Sequence, residues 1–194
     1  MGTVLTIVVI VVVLLAAGAL VMLYQRRRSE QLHKRFGPEY ERSLEESGDR
    51  RTAERELRER ERRVSKLDIV PLSRESAEHY RAEWDRIQGS FVDQPSAAVS
   101  DADRLVLQVM REAGYPVDEF DQRADDISVD HPEVAARYRE AHRIAVAQAH
   151  GEADTEELRQ AVTAYRALVD ALLADSGDES GSRQPHPTDT KEQA

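Results

Sequence analysis

Apolar and polar positions fall into four regimes along the chain. Residues 3–23, TVLTIVVIVVVLLAAGALVML, form an uncharged run of 21 residues. As a helix rising 1.5 Å per residue, such a run matches the roughly 30 Å hydrocarbon core of a bilayer. Its β-branched residues are no obstacle, because in lipid only a helix satisfies every backbone polar group along a single span. The chain then turns polar. In the second half of residues 26–67 the apolar positions Ala53, Leu57, Val64 and Leu67 recur at spacings of 4, 7 and 3, with Arg60 in the slot where the seam would otherwise be filled. Helical stripes return from residue 68 to 174. Ser73 is placed to cap a helix carrying Ala77, Tyr80, Trp84, Ile87 and Phe91, and Pro95 opens one carrying Ala98, Ala102, Leu105, Val109 and Ala113, widened by Val106 and Met110. Gly114 is suited to end that helix. A third stripe reads Val134, Tyr138, Ala141, Ala145 and Gln148, and a fourth Leu158, Ala161, Val162, Tyr165, Leu168, Val169 and Leu172. Beyond the first span no stretch sustains a period of two, so the expected fold is all-α.

This pattern divides the chain into a transmembrane anchor at 1–24, a juxtamembrane helical stalk at 25–67, an all-helical domain of about four main helices at 68–174, and a tail at 175–194. The tail has no large apolar residue and is expected to be disordered. Asp68 to Leu72 connects stalk and domain, since Pro71 stops helical continuation. The stalk's seam is two heptads long. That is short for a coiled coil holding a homodimer, so a solvated, salt-bridged helix is preferred.

Charge sharpens the division. The net charge is −10, but residues 1–25 carry no charged side chain, residues 26–66 hold 14 basic against 10 acidic groups, and the remainder holds 13 against 27. An acidic body argues against nucleic-acid binding, which draws on cationic groups. The absence of cysteine excludes disulfides, thiolate metal sites and thiol nucleophiles. Tyr24 and then Arg26, Arg27 and Arg28 follow the apolar run, as membrane-interface and anionic-headgroup contacts would. Ala17-Gly18-Ala19 resembles a signal-peptidase site. However, nothing basic precedes the run, and the run continues past it, which favours an anchor over a cleaved signal. With every nearby cation after the span, the expected topology in the cell membrane is N-terminus out and C-terminal domain cytoplasmic.

The densest titratable stretch is YPVDEFDQRADDISVDHP, residues 115–132. Carboxylates beside a histidine are the raw material of metal and acid/base sites. They are equally the material of helix caps. Asp118 can cap a helix from about Glu119 to Asp126, and Asp130 with Glu133 has the spacing of a capping box before Pro132. That leaves Asp125, Asp126, Asp130 and His131 as weak metal candidates, and Asp121, Asp125 and Asp126 with Glu119 as an acidic recognition surface. The spacing fits no calcium loop, and the zincin, Walker and nucleophile-elbow patterns are absent. His142, bordering an apolar stripe, reads as a core-edge hydrogen-bonder. Neither a cofactor nor a catalytic set is expected.

The segments FGPEYERSLEESGDRRTAERELRERERR (36–63), WDRIQGSFVDQPSAAVSDADRLVLQVMREAGYPVDEFDQRADDISVDHP (84–132) and YREAH (138–142) resemble a family of small bacterial proteins. These carry an N-terminal transmembrane segment and go by the names hypothetical, membrane or secreted protein. The resemblance spans residues 32–173 and implies no activity, so it assigns no site residue. The expected role is a membrane-anchored, non-enzymatic scaffold or adaptor with a protein partner. The alternatives are a tethered metal-binding protein or enzyme using the 118–131 stretch, and an exported envelope protein.

Overall fold

A computed structural model describes residues 2–174, apart from the side chains of 3–9, 11–14, 21 and 25. The expected tail at 175–194 lies outside the described residues. Among those described there are eight helices and no strand. In chain order they are α1 (Gly2–Phe36), α2 (Pro38–Ser47), α3 (Arg50–Val64), α4 (Arg74–Ser90), α5 (Pro95–Glu112), α6 (Phe120–Asp130), α7 (Pro132–Ala149) and α8 (Thr155–Ala174). The fold is all-α. Among the described residues no helix is long and apolar enough to cross a membrane. Most side chains of the run 3–23 lie outside them, so the anchor is taken up again below as a proposal.

The chain forms two compact units. Unit 1 holds residues 1–66 and 124–136, and unit 2 holds 67–123 and 137 onward. The segment 124–136, which reads from sequence as the middle of the acidic domain, thus groups with the basic region. The chain crosses between units within α6 and again within α7.

In unit 1, α1 ends at Gly37, which sits at φ 46 and donates to the His33 carbonyl, and Pro38 opens α2 directly. Gly48 at φ 65 closes α2 in the left-handed conformation that favours glycine, and the Asp49 carboxylate caps α3 by accepting from the Thr52 N–H at 3.0 Å. α3 was expected to be a solvated stalk, yet its seam is buried: Ala53 and Leu57 are fully covered, and Arg60 and Val64 nearly so. The single chain already covers this seam without a second copy. Leu32, Phe36 and Tyr40, with Ala124, Ile127, Val129 and Ala135 of the 124–136 segment, complete the apolar core of the unit. α1 is tied to α3 by polar bonds as well. The Ser29 hydroxyl donates to Glu54 Oε1 at 2.5 Å and receives a hydrogen bond from Arg50, while Arg58 bonds Glu54 Oε2 at 2.8 Å. Burial pushes the Glu54 carboxyl up, but the hydrogen bonds from Ser29 and Arg50 and the charges of Arg50 and Arg58 outweigh it and hold the group below its usual range.

In unit 2, α5 packs on α4 and α8, and α4 also touches α8. Ser73 caps α4 through the Ser76 N–H at 3.0 Å, and α5 starts at Pro95. The stripes of α4, α5 and α8 bury as their periodicity predicts, except that Phe91 is only half-buried. On α7 the buried face is Tyr138, Ala141 and Ile144, rotated from the expected Val134–Ala145 line. α8 opens with a reciprocal box that the sequence reading missed. The Glu157 N–H donates to Asp154 Oδ1 at 2.8 Å, and the Asp154 N–H to Glu157 Oε2 at 3.0 Å.

Candidate functional site: the acidic segment and its arginines

Two clusters of titratable groups stand out, one in each unit. The first takes in the acids of α6. Asp126 is fully buried and accepts from Arg63 Nε at 2.7 Å. Asp125 meets Arg60 Nε at 3.1 Å, and the same guanidinium lies 3.6 Å from the fully buried Glu39. Asp130 lies 3.5 Å from Arg35 Nη2, while Nη1 of that arginine holds Glu61 at 2.9 Å and its Nε donates to the Val129 carbonyl at 3.3 Å. Each of the three candidate metal-ligand aspartates therefore faces a guanidinium from α1 or α3.

A divalent ion at any of them would have to displace that guanidinium. Among the described residues no group of three or more His, Asp and Glu side chains is arranged to hold a metal ion. His131 is the one residue between α6 and α7. Its carbonyl accepts from the N–H groups of Val134 and Ala135, so the backbone of His131 begins α7. This corrects the expected Asp130–Glu133 capping box. α6 runs one turn further than its acids suggest, Asp130 becomes its last residue, and its carboxylate turns to Arg35.

The residues expected at a membrane interface lie where α1 leaves its apolar run. Tyr24, Arg26, Arg27 and Arg28 are all exposed, and the Arg28 guanidinium rests over the Tyr24 ring at 5.4 Å. No carboxylate pairs with Arg28 among the described residues.

The second cluster lies in unit 2. Arg123, buried, donates to the Tyr138 hydroxyl at 3.2 Å and to the carbonyls of Val117 and Asp118. The Tyr165 hydroxyl donates to Asp103 at 3.0 Å, and burial pushes both tyrosines above their ordinary range. Phe120 stacks on His142, with ring centroids 3.6 Å apart and planes 11° from parallel. Thus Asp118 contributes its carbonyl rather than a cap, and Asp121 stays exposed on α6. The arrangement gives the polar groups of Arg123, Tyr138 and Tyr165 hydrogen-bond partners, and none of the cavities described here is lined by these residues.

The sequence reading took His142 for a hydrogen-bonder, but its Nδ1 is buried without a hydrogen-bond partner. Burial holds its imidazole below the ordinary range. Asp103 and Asp121 pull the other way, and Arg123 adds to the depression. A depressed histidine disfavours the proton in the folded state. Its contribution to stability is therefore full above the unfolded value near 6.5 and falls as pH drops below that. Melting the chain and its His142→Phe variant between about pH 7.5 and 5 checks this. The wild type should lose stability relative to the variant on acidification, and a pH-independent difference would remove His142 from the account.

No family model, curated protein or solved structure matches the chain.

Proposed function

We propose that this is a single-pass membrane protein acting as a non-enzymatic adaptor, holding a small helical body at the cytoplasmic face for a protein partner. The observation that carries the reading is the continuity of α1. One helix runs from Gly2 to Phe36, so the uncharged stretch 3–23 and the buried Leu32 and Phe36 belong to a single rod. A helix that enters the core of unit 1 without a break transmits position and orientation, which is what an adaptor needs from its anchor. The resemblance to small bacterial membrane proteins agrees with this. So does the pairing of the α6 acids with arginines, which leaves little for catalysis to use.

Topology is the decisive test. The chain has no cysteine, so a Ser182→Cys variant carries one thiol, near its C-terminus. A membrane-impermeant maleimide should label it only after the cells are broken. Labelling of intact cells would reverse the orientation and make this an envelope protein.

A further inference from the structure

On one side of α1, a cleft of about 310 Å³ is lined by Arg28, Gln31, Leu32, Arg35, Arg58 and Glu61. We propose that it binds the phosphate of an anionic phospholipid headgroup, an inference that rests on the membrane-anchored reading above. The volume lies at the small end of the roughly 300–1,000 Å³ typical of small-molecule sites, which suits a phosphorylated glycerol head better than a larger ligand.

Charge decides what enters. Three guanidinium groups and one carboxylate line the cleft; that carboxylate, Glu61, is held at 2.9 Å by Arg35, whose Nη2 also lies 3.5 Å from Asp130. Arg58 shares its charge with Glu54 at 2.8 Å, while Arg28 rests over the Tyr24 ring and meets no carboxylate among the described residues. The cleft thus offers Arg28 as a guanidinium without a carboxylate among the described residues, beside two that are shared, and a planar fork of donors is the form that best matches phosphate. Gln31 adds a neutral polar group, and the nearly buried Leu32 supplies an apolar wall.

Position selects the source of the phosphate. At 1.5 Å per residue, Arg28 lies about 7 Å and Arg35 about 18 Å along the helix beyond Leu23. Helical side chains lean toward the N-terminus, so these arginines reach back toward the end of the apolar run. The headgroup layer adds roughly 5–7 Å on each side of the hydrocarbon, which sets the mouth of the cleft at its outer edge. A loose cloud of juxtamembrane arginines would attract anionic lipid without any of this. Arg58 separates the two cases, because it comes from α3, 30 residues beyond Arg28 in the chain, and reaches the cleft only through folding.

The test uses the full chain in neutral detergent micelles, titrated with short-chain phosphatidylglycerol, short-chain phosphatidylcholine and inorganic phosphate. Phosphatidylglycerol should bind in preference to both. Arg58→Gln should weaken that binding by about fivefold, the value of one cation at an anionic lipid surface. Arg55→Gln removes the same charge from an exposed position on α3 outside the cleft and should leave binding unchanged. Arg28→Gln, at an exposed side chain, should reproduce the Arg58 effect without disturbing packing. Equal losses from Arg58→Gln and Arg55→Gln would reduce the cleft to general attraction. Phosphatidylcholine binding as well as phosphatidylglycerol would also overturn it, and inorganic phosphate binding as tightly would make it a free-anion site. Carbonate washing of membranes examines the anchor separately. Release of the chain there would sink the anchor and the lipid assignment with it, whereas retention with no preference among the short-chain ligands would sink the cleft alone.

Discussion

Replacing Arg63 by Met is expected to destabilise unit 1 by about 3 kcal/mol. The reasoning turns on which partner is left behind. Asp126 is fully buried, and Arg63 Nε, at 2.7 Å, is its cation. Taking away one partner of a buried pair typically costs about 3–5 kcal/mol, because the remaining charge stays desolvated. The low end applies here because the arginine side chain is 36% exposed, so its side of the pair is partly screened by water. The reverse truncation should be milder. With Asp126 changed to Leu, the Arg63 head can turn into solvent, and the new side chain remains apolar in an apolar place. The double variant Arg63→Met with Asp126→Leu should therefore recover most of the loss, as buried ion pairs replaced by apolar groups often do. Thermal melting of the full chain in detergent gives the global effect. Amide exchange in residues 50–64 and 124–130 reports whether the loss is local to α3 and α6. If Arg63→Met melted with the wild type, the pair would be an ornament of the surface and α6 would be held by its apolar residues alone.

That pair also marks the limit of what the sequence discloses. The helices of unit 2 are legible because their apolar positions recur every three or four residues, and nearly all of Ala77 to Leu172 on those stripes are buried. α7 is the exception. Its alanines fit two adjacent stripes equally well, and Ile144 rather than Ala145 faces the core. The acids of α6 are a different matter. Their partners Arg35, Arg60 and Arg63 lie more than 60 residues away in the chain, and no local spacing connects them. A local reading therefore assigns Asp118 and Asp130 to caps, since a cap is the nearest use for a carboxylate. One signal was available. Arg60 occupies a seam position between Leu57 and Val64, and a charge on a buried face requires an opposite charge from somewhere. Arg60 is indeed nearly buried, with Glu39 and Asp125 as its carboxylates. The basic excess of residues 26–66 and the acidic excess that follows have a partial structural explanation in these pairs. Arg26, Arg27 and Arg28 stand outside these pairs. The cleft beside α1 was illegible for the same reason, since Arg28 and Arg58 meet only once α3 has folded against α1.

Gly114→Ala is expected to lower stability by about 2–5 kcal/mol, from two sources that add. The residue sits at φ 91, where a side chain brings left-handed strain of about 1–2 kcal/mol. A Cβ there would also lie 2.3 Å from the Asp68 carbonyl oxygen and 3.1 Å from its carbon. Both neighbours are backbone atoms, so no rotamer change can relieve the overlap. The connector at 68–72 would have to move off the end of α5, and the hydrogen bond from the Val70 N–H to the Ala113 carbonyl, at 3.0 Å, would stretch with it. Displacing packed backbone adds about 1–3 kcal/mol, and the sum should lower the melting temperature by about 10 °C for a chain of this size. Gly89→Ala is the internal control. Gly89 lies within α4 with open space where its Cβ would point, so alanine there should stabilise by about 0.5–1 kcal/mol through helix propensity. Opposite signs from the same substitution would locate the penalty in the contact with Asp68. If both variants melted alike, the connector would be free to give way, and the tight approach at Gly114 would carry no energetic weight.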